Sequence, residues 1–141
     1  MKPIRMNRVS IVVPDLDAAV KDFEEVFGMS FSVAVDEELG VKRAISDAGL
    51  DLVASLDPDR PGPAAANWSG GALAAIGFRV GDIDEIRSRM RARGVRGIHD
   101  ADRPGLRESI YDSHDFHDLP VALHQYEGDS FVDAAGAAPA G

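Results

Sequence analysis

The sequence has no cysteine, and positive charge is scarce relative to negative charge. Without cysteine, disulfides, thiolate metal sites and cysteine nucleophiles are excluded, which is compatible with a reducing compartment. Asp and Glu outnumber Lys and Arg by 24 to 15, giving a formal net charge of −9. This sign is wrong for a nucleic-acid backbone or an anionic membrane surface as the main partner. Small molecules and proteins remain as partner classes.

Long apolar runs are also missing. No stretch reaches the roughly 18 apolar residues of a membrane span, and the N-terminus lacks the apolar region of a signal peptide. We therefore expect a soluble, cytoplasmic protein. No phosphate-binding loop, nucleophile elbow or dinucleotide fingerprint is present. With 141 residues, 45% of them hydrophobic, the chain has the size of one compact domain.

An internal repeat organises this domain. Residues 8–17 alternate apolar and other residues as a strand does, then reach an Asp that can cap a helix; residues 75–84 repeat this pattern about 67 positions later. One such module is too small to bury a convincing core alone. The repeat therefore predicts two modules that pack together and share one interior.

Each module reads as a βαβββ unit. In module one, Asp15 or Asp17 caps a helix whose apolar face includes Phe23 and Phe27, and strands are predicted at 31–35, 41–45 and 50–54. In module two, Asp82 or Asp84 caps a helix that buries Ile83, Ile86 and Met90. Its strands are predicted at 95–99, 107–111 and 121–126. The predicted fold class is α+β, with the helices outside the sheet.

The domain boundaries follow from composition. Module one spans residues 5–56, a linker rich in Pro, Gly and Ala spans 57–72, and module two spans 73–128, together one domain over 1–128. Residues 129–141 are rich in Ala and Gly and are predicted to be a disordered tail. Trp68 in the linker has two interpretations, a cover over a sheet edge or a ligand contact.

Three motifs resemble those of the vicinal oxygen chelate superfamily, which includes glyoxalase I, extradiol dioxygenases, methylmalonyl-CoA epimerase and bleomycin-resistance proteins. They are Val-Val-Pro-Asp-Leu-Asp-Ala-Ala-Val-Lys-Asp-Phe (12–23), Phe-Arg-Val-Gly-Asp-Ile-Asp-Glu-Ile (78–86) followed by Arg-Ala-Arg-Gly-Val (91–95), and Leu-Pro-Val-Ala-Leu-His-Gln-Tyr (119–126). The resemblance covers residues 6 to 127. It implies a cup-shaped, incompletely closed β-barrel and a homodimer.

The resemblance also implies where a metal would bind. In metal-dependent members, His and Glu ligands lie on the first and last strands of each module, and the motifs place those positions at Arg8, Asp51, Ala75 and Ala122. Arginine is a permanent cation and alanine has no donor atom, so this set does not provide the three or more ligands that Zn²⁺ or Fe²⁺ requires. We expect no metal and no other cofactor at this site.

Strand alternation independently predicts which residues line the cup. Val9, Ile11 and Val13, like Ile76, Phe78 and Val80, form apolar sets that should face the helices. The opposite face then carries small residues and polar groups, a mixture that suits a mostly apolar ligand. The predicted small residues are Ala75, Gly77 and Ala122, and the predicted polar residues are Arg8, Ser10, Asp51, Ser55, Arg79, His124 and Tyr126.

Arg8, Asp51 and His124 are the main candidates for chemistry. An ion pair between Arg8 and Asp51 would be either a structural bridge or a clamp for a carboxylate or carbonyl. His124 is either a general acid or base, oriented by Asp51 or Tyr126, or a strand histidine without chemistry. Asp51 is the second candidate catalytic residue.

The remaining polar clusters have weaker interpretations. His114 and His117 lie in an Asp-rich loop whose spacing matches no standard metal site. His99 is predicted to be isolated at the surface. The arginines of the second helix, Arg87, Arg89, Arg91 and Arg93, with Arg96 after it, are typical of a solvated face rather than an anion site.

Two functions of different classes are therefore predicted. The first is a metal-free binding protein of the bleomycin-resistance type for a hydrophobic or carbonyl-bearing small molecule, with Trp68, Tyr111 and Tyr126 as stacking surfaces and Arg8, Ser10, Ser55 and Arg79 as polar contacts. The second is a metal-independent isomerase, epimerase, lyase or cyclase that uses His124 or Asp51 for proton transfer and Arg8 or Arg79 to stabilise an enolate-like oxygen. Binding is the simpler interpretation, because loss of the metal removes the electrophile that the family usually employs, and the enzyme is the alternative.

Overall fold

The computed structural model describes residues 4–68 and 72–140. Its main elements follow the repeat, with a strand and a helix opening each module. Module one contains β1 (Ile4–Val12), α1 (Leu16–Phe27), β2 (Ser32–Asp36), β3 (Val41–Ile45) and β4 (Leu50–Ser55). After α2 (Pro63–Ala66), module two contains β5 (Leu73–Val80), α3 (Ile83–Ala92), β6 (Gly97–Arg103), β7 (Leu106–Tyr111) and β8 (Val121–Tyr126). Helix α4 (Phe131–Ala135) and strand β9 (Ala138–Pro139) follow.

The nine strands of the described residues form one open, strongly curled sheet in the order β6-β7-β8-β5-β1-β4-β3-β2-β9. The modules meet where β1 and β5 pair antiparallel, and each of these strands pairs parallel with the last strand of its own module. The predicted α+β fold with two βαβββ units is therefore confirmed. Strand β6 lies further along the chain than predicted, ending at Arg103 rather than at residue 99.

The helices cover the convex face of the sheet. Asp15 and Asp82 are the N-caps, because their carboxylates accept hydrogen bonds from the backbone N–H groups of Ala18 at 3.0 Å and Glu85 at 3.2 Å. Ile83 and Met90 of α3 pack in one core cluster with strands of module two, as predicted. Phe27 was wrongly assigned to the buried face, since it is 67% exposed at the end of α1.

The described part of the linker covers the mouth of the cup. Ala64 of α2 is buried, and the Asn67 side chain donates to the Tyr111 carbonyl at 2.8 Å and accepts from the Ser113 N–H at 2.7 Å. Gly62 touches the β2–β3 turn so closely that an added Cβ would lie 2.5 Å from the Leu39 carbonyl oxygen. The linker is thus held to both modules.

The predicted disorder after residue 128 is wrong for the described part of the tail. Ser130 caps α4, and Phe131 is only 1% exposed, packed with Ile45 of module one and Leu106 of module two. Strand β9 then pairs with β2 at the sheet edge. The Ala- and Gly-rich composition of the tail predicted disorder, but the tail also contains Phe131, a large apolar residue that fills the inner end of the cup. No helix in the described ranges is long and apolar enough to span a membrane.

Candidate functional site

The concave face of the sheet has three layers along the strand direction. Near the mouth, side chains such as Val41 and Ile110 form an apolar layer, and at the opposite end Ile45, Leu106 and Phe131 form another. Because strand residues alternate, the inward-facing residues between them form a third layer. This layer, called the polar layer below, comprises Arg8, Arg43, Asp51, Glu108 and His124.

A small cavity lies between the mouth layer and the polar layer. Its volume of about 60 Å³ is far below the roughly 300–1,000 Å³ of most ligand pockets, so it holds only a few heavy atoms in this conformation. Both modules and the linker contribute to its wall. The lining residues are Ser10, Leu39, Val41, Arg43, Asp51, Val53, Ala64, Trp68, Ala74, Ala75, Gly77, His99, Glu108, Ile110, Ala122 and His124.

Arg8 and Asp51 form the predicted ion pair, which this structure confirms. The two side chains are 3% and 2% exposed, and Arg8 Nε donates to Asp51 Oδ2 at 3.1 Å while Nη2 donates to Oδ1 and to the Ser46 carbonyl. Ser10 Oγ donates to Asp51 Oδ2 at 3.2 Å. Both carboxylate oxygens are therefore occupied, and Arg8 is not among the residues that line the cavity. This geometry favours the structural bridge over the ligand clamp.

His124 is oriented by a residue that sequence reasoning missed. Its Nδ1 lies 3.1 Å from Oε1 of Glu108, whereas the prediction named Asp51 or Tyr126 as partner. Glu108 lies opposite His124 in the β7–β8 register, so the pairing follows from the strand alignment. The Phe131 ring packs edge-on against the imidazole, with 4.9 Å between ring centroids. The imidazole is held between a carboxylate and an aromatic ring.

Glu108 is ionised at neutral pH. Burial alone would raise the pKa of its carboxyl, but the hydrogen bond from His124 and the charges of Arg43 and Arg103 outweigh burial and hold the pKa at about 2. An ionised carboxylate only accepts hydrogen bonds, so Nδ1 of His124 carries the proton. Nε2 makes no hydrogen bond to any described residue. In the neutral imidazole, Nε2 is thus an unprotonated base in the cavity wall.

Glycine at position 77 makes room for this imidazole. A Cβ built on Gly77 would lie 2.8 Å from Nε2 of His124 and 3.1 Å from Cβ of Arg8. Such distances require the imidazole or the strand to move. The prediction of small residues at Ala75, Gly77 and Ala122 is confirmed by their place in the cavity wall.

Arg43 is the second cavity residue that sequence reasoning missed. It lies on β3 between the inward-facing Val41 and Ile45, with Nη1 4.0 Å from Oε1 of Glu108. Arg103 donates to the other oxygen of Glu108 at 2.9 Å. The alternation of β3 and β7 was a usable signal, because applying it to those strands would have placed Arg43 and Glu108 inside the cup.

Several predicted ligand contacts lie away from the cavity. Tyr111 faces the opposite side of the sheet, buried against α3, so its predicted stacking on a cavity ligand is wrong. Arg79 donates to the carbonyls of Tyr126 and Gly128 at 2.9 and 2.8 Å and stacks over the Tyr126 ring. Both residues lie at the tail end of the cup with Phe131. Ser55, at the end of β4, does not line the cavity.

Trp68 and His99 lie at the mouth. Trp68 is partly buried against the mouth layer and lines the cavity, which is compatible with either of its predicted roles. His99 was expected to be an isolated surface residue, but its side chain is only 19% exposed and also lines the cavity. Its Nε2 is 3.5 Å from Oε2 of Glu38, on the opposite module. This contact links the two modules across the mouth.

The residues at the family's metal positions do not fit a metal. Ala75 and Ala122 carry no donor atom, and both oxygens of Asp51 accept hydrogen bonds from Arg8. In the loop after β7, Asp112 accepts from the backbone N–H of His114 and contacts its imidazole at 3.0 Å. Within residues 4–68 and 72–140, no group of three or more His, Asp or Glu side chains is arranged to hold an ion.

Solved structures share this architecture. Methylmalonyl-CoA epimerase from Mycobacterium tuberculosis superposes with a TM-score of 0.71 at 22% identity, covering 87% of this chain and 88% of that one. A substituted Streptomyces coelicolor methylmalonyl-CoA epimerase in complex with 2-nitronate-propionyl-CoA gives 0.71 at 26% identity, covering 88% and 95%. A methylmalonyl-CoA epimerase in complex with methylmalonyl-CoA and NH4+ gives 0.71 at 26% identity, covering 89% and 96%.

No functionally curated protein matches the chain in sequence. A family model, however, matches residues 5–113, which include both first strands and most of each module. The match agrees with the repeat, the joined βαβββ units and the curled sheet described above. The chain therefore belongs to the Glyoxalase/Bleomycin resistance protein/Dioxygenase superfamily, also called the vicinal oxygen chelate superfamily.

Proposed function

We propose that this protein is a metal-independent acid–base enzyme of the isomerase, epimerase, lyase or cyclase type that acts on a small carbonyl compound. The observation that carries the proposal is the 3.1 Å contact between His124 and an ionised Glu108 in the wall of an enclosed cavity. A histidine that is oriented by a carboxylate and faces an apolar cavity is suited to proton transfer.

The proposed step is proton transfer at a carbon next to a carbonyl group. Nδ1–H of His124 donates to Glu108, which leaves the Nε2 lone pair to accept the proton from substrate carbon. The electrons of the C–H bond move onto the carbonyl oxygen and form an enolate. Return of the proton from the imidazolium to another atom of the enolate gives an isomer, and delivery of a proton to the opposite face of the same carbon gives the epimer. Glu108 stabilises the imidazolium meanwhile.

Asp51 is not assigned the role of base in this proposal. Its two oxygens already accept hydrogen bonds from Arg8 and Ser10, so accepting a proton would require breaking the ion pair. The Arg8–Asp51 ion pair instead joins β1 to β4 next to the cavity. This leaves His124 as the proposed catalytic residue and Glu108 as its positioning residue.

Deuterium exchange tests the proposal directly. The protein would be incubated in D2O with small carbonyl compounds and, separately, with methylmalonyl-CoA, and loss of the α-proton signal would be followed by NMR. We expect catalysed exchange with at least one compound and a fall of about 10²- to 10⁴-fold in His124→Gln. His114→Gln is the matched control, because His114 is 73% exposed and outside the cavity. Equal exchange rates in His124→Gln and wild type would show that His124 is not the catalytic base.

A ligand-binding protein is the second candidate. It is favoured by the apolar mouth layer and by Trp68, which lies where a bound molecule would pass. A pure binder should show no exchange, tolerate His124→Gln and lose affinity in Trp68→Ala. The cavity of about 60 Å³ then requires the linker to shift before a larger ligand enters.

The homodimer and the cytoplasmic location stay predictions. In support of a dimer, Met6 of β1 is 60% exposed, and Val26 and Phe27 at the end of α1 are 70% and 67% exposed, so large apolar side chains are available to pack against a second chain. Light scattering during gel filtration would measure the mass. A particle of one chain at micromolar concentration would contradict the dimer.

A further inference from the structure

Arg43 carries a charge that its surroundings do not fully balance. The side chain is 15% exposed on the cavity wall, and its Nε is buried without a hydrogen-bond partner among the described residues. The nearest carboxylate contact is the 4.0 Å approach of Nη1 to Glu108, which is long for an ion pair. A buried guanidinium in this state is poorly satisfied.

The carboxylates near Arg43 are already paired more closely with other residues. Asp51 is neutralised by Arg8 and accepts a further hydrogen bond from Ser10. Glu108 is contacted by Arg103 on Oε2 at 2.9 Å and by His124 on Oε1 at 3.1 Å. Arg103 lies outside the polar layer and is 51% exposed, but it makes the closer contact with Glu108, and Arg43 approaches the same carboxylate only to 4.0 Å. Of these two arginines, Arg43 is the one without a close carboxylate among the described residues, and it lines the cavity.

We propose that Arg43 binds the carboxylate of the substrate, so that the substrate class is a small 2-oxo carboxylate rather than a neutral carbonyl compound. The Nη groups of a guanidinium can hold the two oxygens of a carboxylate in a bidentate pair, which would give Arg43 the close partner that Glu108, at 4.0 Å, does not supply. This inference rests on the proposed function, because it names the substrate of the same site.

The cavity's size and position are consistent with such a substrate. About 60 Å³ admits only a few heavy atoms beyond the carboxylate. Val41, Val53 and Ile110 on the mouth side would contact a short alkyl group. Arg43 and His124 both touch the same oxygen of Glu108, at 4.0 and 3.1 Å, so a carboxylate on Arg43 places the neighbouring carbons beside the imidazole.

Pyruvate and 2-oxobutyrate are suitable probes, with methyl pyruvate as the uncharged analogue of pyruvate. Binding would be measured by titrating the ¹⁵N–¹H signals of the arginine Nε groups and by the shift in melting temperature. We expect the 2-oxo acids to shift the Arg43 Nε–H signal and methyl pyruvate to bind at least about 10-fold more weakly. Equal binding of the ester and the acid, or no shift of the Arg43 signal by either acid, would overturn the inference.

Variants at two adjacent positions separate the cavity charge from general charge effects. Arg43→Met should weaken pyruvate binding by about 10- to 100-fold, and Arg43→Lys should recover part of it, because the charge returns without the two-pronged geometry. Lys42→Met is the matched control: it removes the same charge from the neighbouring residue of β3, whose side chain points to the other face. Undiminished binding by a folded Arg43→Met protein would overturn the inference.

The same experiment separates this inference from the proposed function. His124→Gln should bind pyruvate as wild type does while losing α-proton exchange. If His124→Gln kept exchange and Arg43→Met lost binding, the carboxylate site would stand and the proton-transfer role would fail. If Arg43→Met kept binding and His124→Gln lost exchange, the enzyme proposal would stand and the carboxylate site at Arg43 would fail.

Discussion

The two modules put different side chains at equivalent points of the same framework. In module one, the β1–β4 register pairs Ser10 with Asp51, and in module two the β5–β8 register pairs Gly77 with Ala122. Module one fills its position with a buried ion pair to Arg8, whereas module two leaves it small. The space left by module two lies beside His124.

The two modules also differ in how their charged residues are hydrogen-bonded. The charged pair of module one is saturated with internal hydrogen bonds and ties β1 to β4. The Glu108–His124 pair of module two leaves Nε2 of the imidazole without a hydrogen bond to any described residue. The two modules therefore share one framework, but the charged residues of module one are paired with each other, whereas module two leaves one nitrogen of His124 in the cavity wall without a hydrogen bond to the described residues.

The largest effect is expected from breaking the pair in module one. Arg8→Met leaves the Asp51 carboxylate, 2% exposed, without a counter-ion, and removing one partner of a buried pair costs about 3–5 kcal/mol. Urea unfolding followed by circular dichroism would measure this. The double variant Arg8→Met with Asp51→Leu should recover most of the loss, since it removes both charges. A loss below about 1 kcal/mol in the single variant would show that the pair is not a structural bridge.

A smaller effect is expected from adding a side chain at Gly77, where module two is small. Gly77→Ala puts a Cβ 2.8 Å from Nε2 of His124, so the imidazole must shift, at a cost of about 1–3 kcal/mol. The shift should also broaden or move the Nδ1–H signal of His124 in NMR spectra. Gly97→Ala is the control, because a Cβ there meets nothing within 4 Å. Identical His124 signals in Gly77→Ala and wild type would contradict the close packing.

A third effect is confined to acidic pH. The folded-state pKa of Glu108 is about 2, below the ordinary value of 4.5, so the unfolded chain binds the proton first. The stabilisation is fully present above pH 4.5 and is lost as the pH falls towards 2. The free energy of unfolding of Glu108→Gln should therefore fall less steeply with acidification over this range than that of wild type.

Asp102 provides a comparison for this titration. Its pKa is also held at about 2, by hydrogen bonds from Arg87 and Arg107, but its side chain is 46% exposed. Solvent and salt weaken exposed pairs, so Asp102→Asn should change the acid slope less than Glu108→Gln, and added salt should erase its effect first. A larger effect of Asp102→Asn would mean that burial of Glu108 does not set its contribution.

Local patterns predicted much of this structure. The repeat, the alternation of β1 and β5, and the capping Asp15 and Asp82 gave both modules and the joined sheet, because these features depend on neighbours a few residues away. The Arg8–Asp51 pair was also predictable, once the motif match placed both residues at converging positions.

Contacts between residues far apart in the chain could not be predicted from local patterns. Arg43 meets Glu108 across the cup, and Phe131, in a segment whose composition suggested disorder, packs against Arg8 and His124. Strand periodicity gives the face on which a side chain lies, but the curl of the sheet determines which inward-facing residues touch. The two-module framework and its buried ion pair could therefore be predicted from local patterns and the motif match, whereas the partner of His124 and the place of Arg43 at the cavity depend on how the sheet curls.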